Sequence, residues 1–301
     1  MTDTFELKEI LEAFKRYDGV YKQVEVEAAI ERKEEITPHL IRILENTLAN
    51  PEAYIEDEDA FDHIYALMLL GYFRETSAHR LIVDLFGLPP SIPNQLFGEV
   101  GLCNLPVILV STSGGSIGEI KALAANRNAE LHVRTSALNA LAFAVAEGVA
   151  GREEVLAFYE KLFVRDEADE VSDFWSLMAM FAVDLYPVEI MDTINRAYEN
   201  ELIFPGMIRY EDFENAFAEG PEKGLERLRS EYRQFLLEDI HREMSGWACF
   251  RPVSEKRKGA PDLGRTAISL KNANNKAARK KKKAAKRKRK NAKVSKKKNR
   301  R

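Results

Sequence analysis

The sequence predicts an all-α protein, an α-solenoid in which helices stack in chain order, and three observations carry that expectation. The run Ala129 to Gly148 places Val133, Ala137, Leu141, Ala144 and Val145 at helical spacing, while Leu138, Ala142 and Val149 widen the apolar arc until little polar face remains. Such a helix needs cover on two sides. Its neighbours supply it: Ser116 to Asn126 turns Ile117, Ile120 and Leu123 inward, and Glu153 to Phe163 carries Val155, Phe158, Tyr159, Leu162 and Phe163 at helical spacing. Finally, capped helices begin at Ser116, Arg152 and Pro187, close to the roughly 30 to 45 residue period of helical repeats.

In chain order, Thr4 to Arg16 sets Leu7, Ile10, Leu11 and Phe14 on one face, and Asp18-Gly19 turns the chain. Tyr21 to Glu35 is a helix with a weak stripe. Thr37-Pro38 reads as an N-cap followed by Pro at the first helical position, with the end at Asn50-Pro51. Asp59 is expected to cap a helix bearing Phe61, Ile64, Tyr65, Met68, Leu69 and Tyr72, and Ser77 to begin the next, closed by Gly87. Four prolines and several glycines between Leu88 and Gly115 predict short, distorted helices. Ser172 starts a helix with Phe174, Trp175, Met178, Phe181 and Leu185, and Pro187 opens another so soon that the chain must turn sharply. Tyr210 to Ala218 is short. Glu222 to Met244 reads as one long helix capping the end of the stack. The total is about fourteen helices and no strand.

With 301 residues, 45% of them apolar and 31% charged, the chain can bury a sizeable core beneath a solvated surface. The net charge of −3 hides a split: residues 255–301 hold 22 Lys and Arg against 2 acids, leaving 23 basic and 46 acidic residues in 1–254. Two parts are therefore expected, a folded domain over 1–254 and a polybasic tail over 255–301. The N-terminus has no apolar core of a secretion signal, and the longest apolar runs fall short of a membrane span. Cys103 and Cys249, each in apolar surroundings, suit buried free thiols in a reducing compartment, so a cytoplasmic location is expected.

Chemistry-bearing patterns are sparse. His39, His63, His79, His132 and His241 show no metal-ligand spacing and suit surface or capping roles, so no metal and no cofactor are expected. The acids Glu56 to Asp59 with Asp62 and His63 lack the loop of a calcium site and suit the first turn of a helix. Ser113-Gly114-Gly115-Ser116 matches neither a P-loop nor a dinucleotide fingerprint; Gly114 suits a helix C-terminus and Ser116 with Glu119 a capping box. The candidate functional surface is Asp173, Trp175 and Asp184. The two carboxylates share a helix face but stand about 16 Å apart, too far to act on one bond. Asp184 lies near a helix C-terminus, where an acid opposes the dipole and is expected to be paired, exposed or functional.

Leu131 to Ala146, with Val133-Arg134 followed by Ala137, Leu138, Ala140 and Leu141, resembles a HEAT-type second helix. The span Glu27 to Pro252 resembles an uncharacterised bacterial domain family of unknown function with HEAT-like repeats. That resemblance rests on EEITPHLIRILEN from Glu34, DFWSLMAMFAVDLYP from Asp173, and AYENELIFP from Ala197 with the following YEDFENAF. It implies an α-solenoid and brings no activity, substrate or catalytic residue. Many members of that family end in a Cys-rich zinc segment, the SEC-C motif; no cysteine follows Pro252 here, so no such zinc site is expected.

The tail gives the strongest functional signal. It has no Phe, Trp or Tyr, so it cannot bury enough apolar surface to fold alone and is expected to be disordered. Lys280, Lys281, Lys282, Lys283, Lys286, Arg287, Lys288, Arg289 and Lys290 are the candidate nucleic-acid-binding residues. The expected function is a non-enzymatic scaffold that binds a protein partner, with the tail tethering it to RNA, ribosome or DNA. The alternative is a HEAT-like DNA-glycosylase-like enzyme that would grip DNA with Trp175, Tyr186 and Asp184. The acidic body argues against it, because a negative surface repels a duplex.

Overall fold

The computed structural model describes residues 6–163 and 173–250. Among these there are fifteen α-helices, three short 3-10 turns and no strand. One of the helices is broken in the middle, so sixteen helical rods are present.

The first helices are α1 (Leu7–Lys15), α2 (Gln23–Glu31), α3 (Lys33–Ala49), α4 (Pro51–Glu56), α5 (Asp62–Tyr72) and α6 (His79–Phe86). The middle holds α7 (Ile92–Thr112), α8 (Gly118–Ala125), α9 (Leu131–Ala146) and α10 (Arg152–Leu162). The remainder is α11 (Asp173–Val183), α12 (Met191–Glu199), α13 (Tyr210–Glu219), α14 (Pro221–Phe235) and α15 (Ile240–Ser245).

Helices α3, α5, α7, α9 and α11 form one layer in which each packs on the next. From α5 onward its members begin at Asp62, Ile92, Leu131 and Asp173, 30, 39 and 42 residues apart, which is the repeat spacing read from the sequence. A second layer runs alongside. There α6 packs on α8, Lys121 of α8 pairs with Glu154 of α10 at 2.5 Å, and Thr193 of α12 donates to Glu160 of α10 at 2.9 Å.

The C-terminal helices depart from expectation. The long helix read over Glu222 to Met244 stops at Phe235 and restarts at Ile240. Rather than capping the last repeat, it returns along the first layer: α14 packs on α13, α9 and α7, and α15 reaches α5 and α2. Part of the first layer is thus covered by the chain itself. This is why α9 is buried almost all round, with α7 and α11 beside it, α8 and α10 on one face and α14 on the other.

Several boundaries move for local reasons. Thr37-Pro38 lies inside α3 rather than at its start; the Thr37 hydroxyl donates to Lys33 O at 2.7 Å beside the backbone hydrogen bond that Pro38, lacking an N–H, cannot make. Asp59 caps nothing, since α5 begins three residues later and Asp59 pairs instead with Arg16. Residues 88–115 hold one long helix, α7, broken once at Gly98 where φ is 60° and ψ −169°. Ser116 does not cap α8, whose first residue is Gly118. Gly114, at φ 60°, does follow the end of α7 as expected.

Candidate functional site

Of the expected surface of Asp173, Trp175 and Asp184, only part is surface. Trp175 is 1% exposed, tilted against Phe163 with ring centroids 5.0 Å apart, and belongs to the core. Asp173 sits in the first turn of α11 and Asp184 just past its last residue, so the three do not converge.

Asp184 belongs to a turn held from both sides. Tyr186 adopts a left-handed φ of 56°, the sharp reversal that the closeness of Pro187 demanded. Arg152, at the start of α10, donates Nε to Leu185 O at 2.6 Å and Nη2 to Tyr186 O, and forks onto Glu189 at 2.7 Å. From α14, Arg227 donates Nε to Asp184 Oδ1 at 2.8 Å and Nη1 to Glu219 at 2.6 Å. Helix α14 approaches so closely that a Cβ on Gly224 would stand 2.1 Å from Asp184 O. Burial raises the Asp184 carboxyl above its ordinary value, opposed by Arg227. Asp184 is a paired anchor for the returning arm.

Three more polar groups lie where the sequence pattern gave no sign of them. His241 of α15 stands between Tyr21 Oη, 2.8 Å from its Nδ1, and Glu27 Oε2, 2.7 Å from its Nε2. A carboxylate only accepts, so Nε2 carries hydrogen, and when the ring is neutral the Tyr21 hydroxyl donates to Nδ1. Burial pushes that hydroxyl well above its usual range, so the chain of bonds ties the arm to the N-terminal hairpin rather than readying a nucleophile. His63 and His79 are buried, not the surface or capping groups expected. His63 Nε2 donates to Leu96 O at 2.7 Å, near the break in α7. His79 Nδ1 donates to Thr112 Oγ1 at 2.9 Å, with Nε2 3.8 Å from Glu119; burial lowers its affinity for a proton, and Glu119 opposes this. The cysteines are also misjudged by pattern: Cys103 is exposed and Cys249 half-buried.

Two surface hollows stand out among the described residues. One, of about 360 Å³, lies beside Gly71 with Lys33, Arg74 and Glu238 in its wall. Lys33 is spent there, donating to Phe73 O at 3.0 Å. The other, of about 400 Å³, is framed by α4, α5, the break in α7 and the segment Trp247 to Cys249. It takes in part of the acidic run singled out in the sequence. Arg16 reaches Asp57 at 2.6 Å and Asp59 at 3.2 Å, and among the described residues no three His, Cys, Asp or Glu side chains gather as a metal site. The basic residues Lys280 to Lys290 lie outside the described residues.

The structure thus defines an all-α protein of stacked helices closed by a returning C-terminal arm, and among the described residues no helix alone is long and apolar enough to cross a membrane. Residues 5–251 match the family described as "Protein of unknown function (DUF1186)", and the chain belongs to that family. Two chlamydial relatives, each described as an uncharacterized protein, align over nearly their whole length. The Chlamydia trachomatis (serovar D) protein is 30% identical over 245 residues, 81% of this chain and 96% of the relative. The Chlamydia muridarum protein is 29% identical over 243 residues, 80% of this chain and 96% of the relative. No solved structure matches the chain. The dense basic residues from Lys256 onward lie beyond the span matched to the family.

Proposed function

We propose that the helical body is a non-enzymatic cytoplasmic scaffold that binds a protein partner, and that the basic segment tethers it to RNA, ribosome or DNA. The observation that carries this reading is the charge split, a net of +20 in residues 255–301 against −23 in the rest. Lys and Arg at that density neutralise phosphates and release their counterions, which gives affinity without sequence preference. With no aromatic ring in the segment, bases have nothing to stack on.

Two further observations support a scaffold over the glycosylase-like alternative. Trp175 is packed in the core, and Asp184 is engaged by Arg227, so neither is presented to a DNA strand. Because α14 and α15 cover the first layer, the partner is expected on the faces that the arm leaves open.

The test is a salt titration of RNA and DNA binding by full-length protein and by a chain ending at Ser254, beside pull-downs of both with and without nuclease. Engaging eight basic residues gives a slope of about −6 to −7 in log K against log salt. Binding that persists in the shortened chain, or that ignores salt, would place the nucleic acid on the body and overturn the tether.

A further inference from the structure

The hollow beside Trp247 has a chemistry that selects its occupant. Its wall contains Asp57 and Glu58 and no Lys or Arg, whereas the hollow beside Gly71 is lined by cations and an acid together. Tyr54 and Phe61, both half-buried, add aromatic surface to the wall, and the buried rings of Phe97 and Trp247 back it. The negative face of such rings attracts a cation within about 6 Å, and a carboxylate at the rim reinforces the attraction. Arg16 engages Asp57, but Glu58 is exposed and has no ion pair.

The backbone gives the hollow its room. At Gly98 the positive φ breaks α7, and a Cβ there would meet nothing within 4 Å. The break is sealed on the inner side by His63, whose Nε2 donates to Leu96 O while Nδ1 is left without a hydrogen-bond partner. Nothing in this wall offers a positive group to an anion.

We propose that this pocket binds a guanidinium or ammonium group carried on an aliphatic chain. The alkyl part would lie along the rings and the cationic end would meet Glu58 and Asp57. Two sources carry that group: a free small amine, or the basic residues that follow the pocket in the chain, the first of them Arg251, two positions beyond the pocket residue Cys249. The proposal stands apart from the nucleic-acid reading, since it concerns a pocket within residues 54–249.

Full-length protein is titrated with agmatine and, as a neutral match in shape, with pentylurea, followed by calorimetry and by tryptophan emission. A second protein carries R251Q, K256Q, R257Q and K258Q together. Saturable agmatine binding to both proteins alike identifies a site for a free cation. Binding that appears or tightens only in the fourfold variant identifies the chain's own segment as the occupant. In either case Glu58→Gln, an exposed change that leaves the core intact, weakens agmatine by about threefold, the size of one partly exposed charge contact. Pentylurea binding as tightly as agmatine, or no saturable binding of agmatine to either protein up to about 10 mM, overturns the proposal.

Discussion

Helices α9 and α14 pack against each other and are held in opposite ways. In α9 all the residues from Ala140 to Ala146 are buried, and it stays in place because every side touches apolar neighbours. Helix α14 buries only Gly224, Leu228 and Tyr232. Tyr232 meets Phe143 edge-on at 5.4 Å, and the other attachments are polar and directed: Arg227 on Asp184 and Arg229 Nε on Ala146 O at 2.8 Å. A helix surrounded by apolar surface has many interchangeable contacts, whereas a helix laid on the outside depends on a few acceptors and one close approach.

The largest effect should come from α9. Leu141 is fully buried, so Leu141→Ala removes packing that no neighbour can replace, and a loss of about 2–5 kcal/mol is expected. Thermal unfolding should report it as one cooperative transition at lower temperature. A loss under 1 kcal/mol would mean that the layers around α9 can collapse onto the gap.

Next comes Gly224→Ala, which puts a methyl 2.1 Å from Asp184 O and forces α14 away from the turn, at about 1–3 kcal/mol. Hydrogen exchange distinguishes the two helices: amides of α14 should lose protection while those of α9 keep most of theirs. Equal loss in both would show that arm and layers open as one unit.

The contrast also explains what the sequence revealed. Helix α9 was legible because an apolar run leaves no choice of face, and the layer spacing followed from it. The return of α14 was not, since amphipathic residues such as Leu228 and Tyr232 show that a helix has an inner face but not which helix receives it. The polar anchors were hidden for a further reason. Leu185 O, Tyr186 O and Ala146 O are backbone acceptors, present at every residue, and only the fold decides which become exposed to Arg152 or Arg229. The Glu27–His241–Tyr21 chain joins residues more than 200 positions apart. The pocket was half legible: its acids stood out as a run, but its rings come from α4, the residue before α5, α7 and the segment after α15. Arg134 is a case of its own, a charged residue buried in the apolar helix, where its Nε donates to Ala124 O at 2.9 Å and its guanidinium lies 4.2 Å over Phe174.

A smaller effect tests a buried polar contact of the second layer through pH. Burial lowers the proton affinity of His79 below its ordinary value of 6.5, so the unfolded chain binds a proton that the folded one refuses. Stability from this group is complete above pH 6.5 and is lost as pH falls from there towards the lowered folded value. Glu119, 3.8 Å away, limits the loss, and Arg80 within reach of the same carboxylate competes for it. His79→Asn keeps a donor towards Thr112 and should cost about 1 kcal/mol at pH 7.5. Between pH 6.5 and 5, denaturant unfolding should then show a shallower decline than in the parent chain. An identical decline would assign the acid sensitivity to other groups.

The smallest effect is expected at Asp184, although it sits at the most elaborate contact of the arm. Burial outweighs Arg227 and raises its carboxyl above 3.8, so the folded chain holds the proton more tightly than the unfolded one. For such a group stability falls as pH rises through the folded value, the reverse of the usual salt-bridged aspartate. At pH 7 the ionised Asp184 therefore contributes an unfavourable burial that the Arg227 bond offsets only in part. Asp184→Asn removes the buried charge and its attraction to Arg227, keeps an oxygen for Arg227 Nε, and leaves Arg227 paired with Glu219. The net change at pH 7 should be under about 1 kcal/mol, of either sign. Its signature is instead the loss of that pH dependence just above 3.8, read from unfolding curves of the two proteins. A cost of several kcal/mol at pH 7 would show that charge, rather than the close seat of Gly224, fixes the arm against the turn.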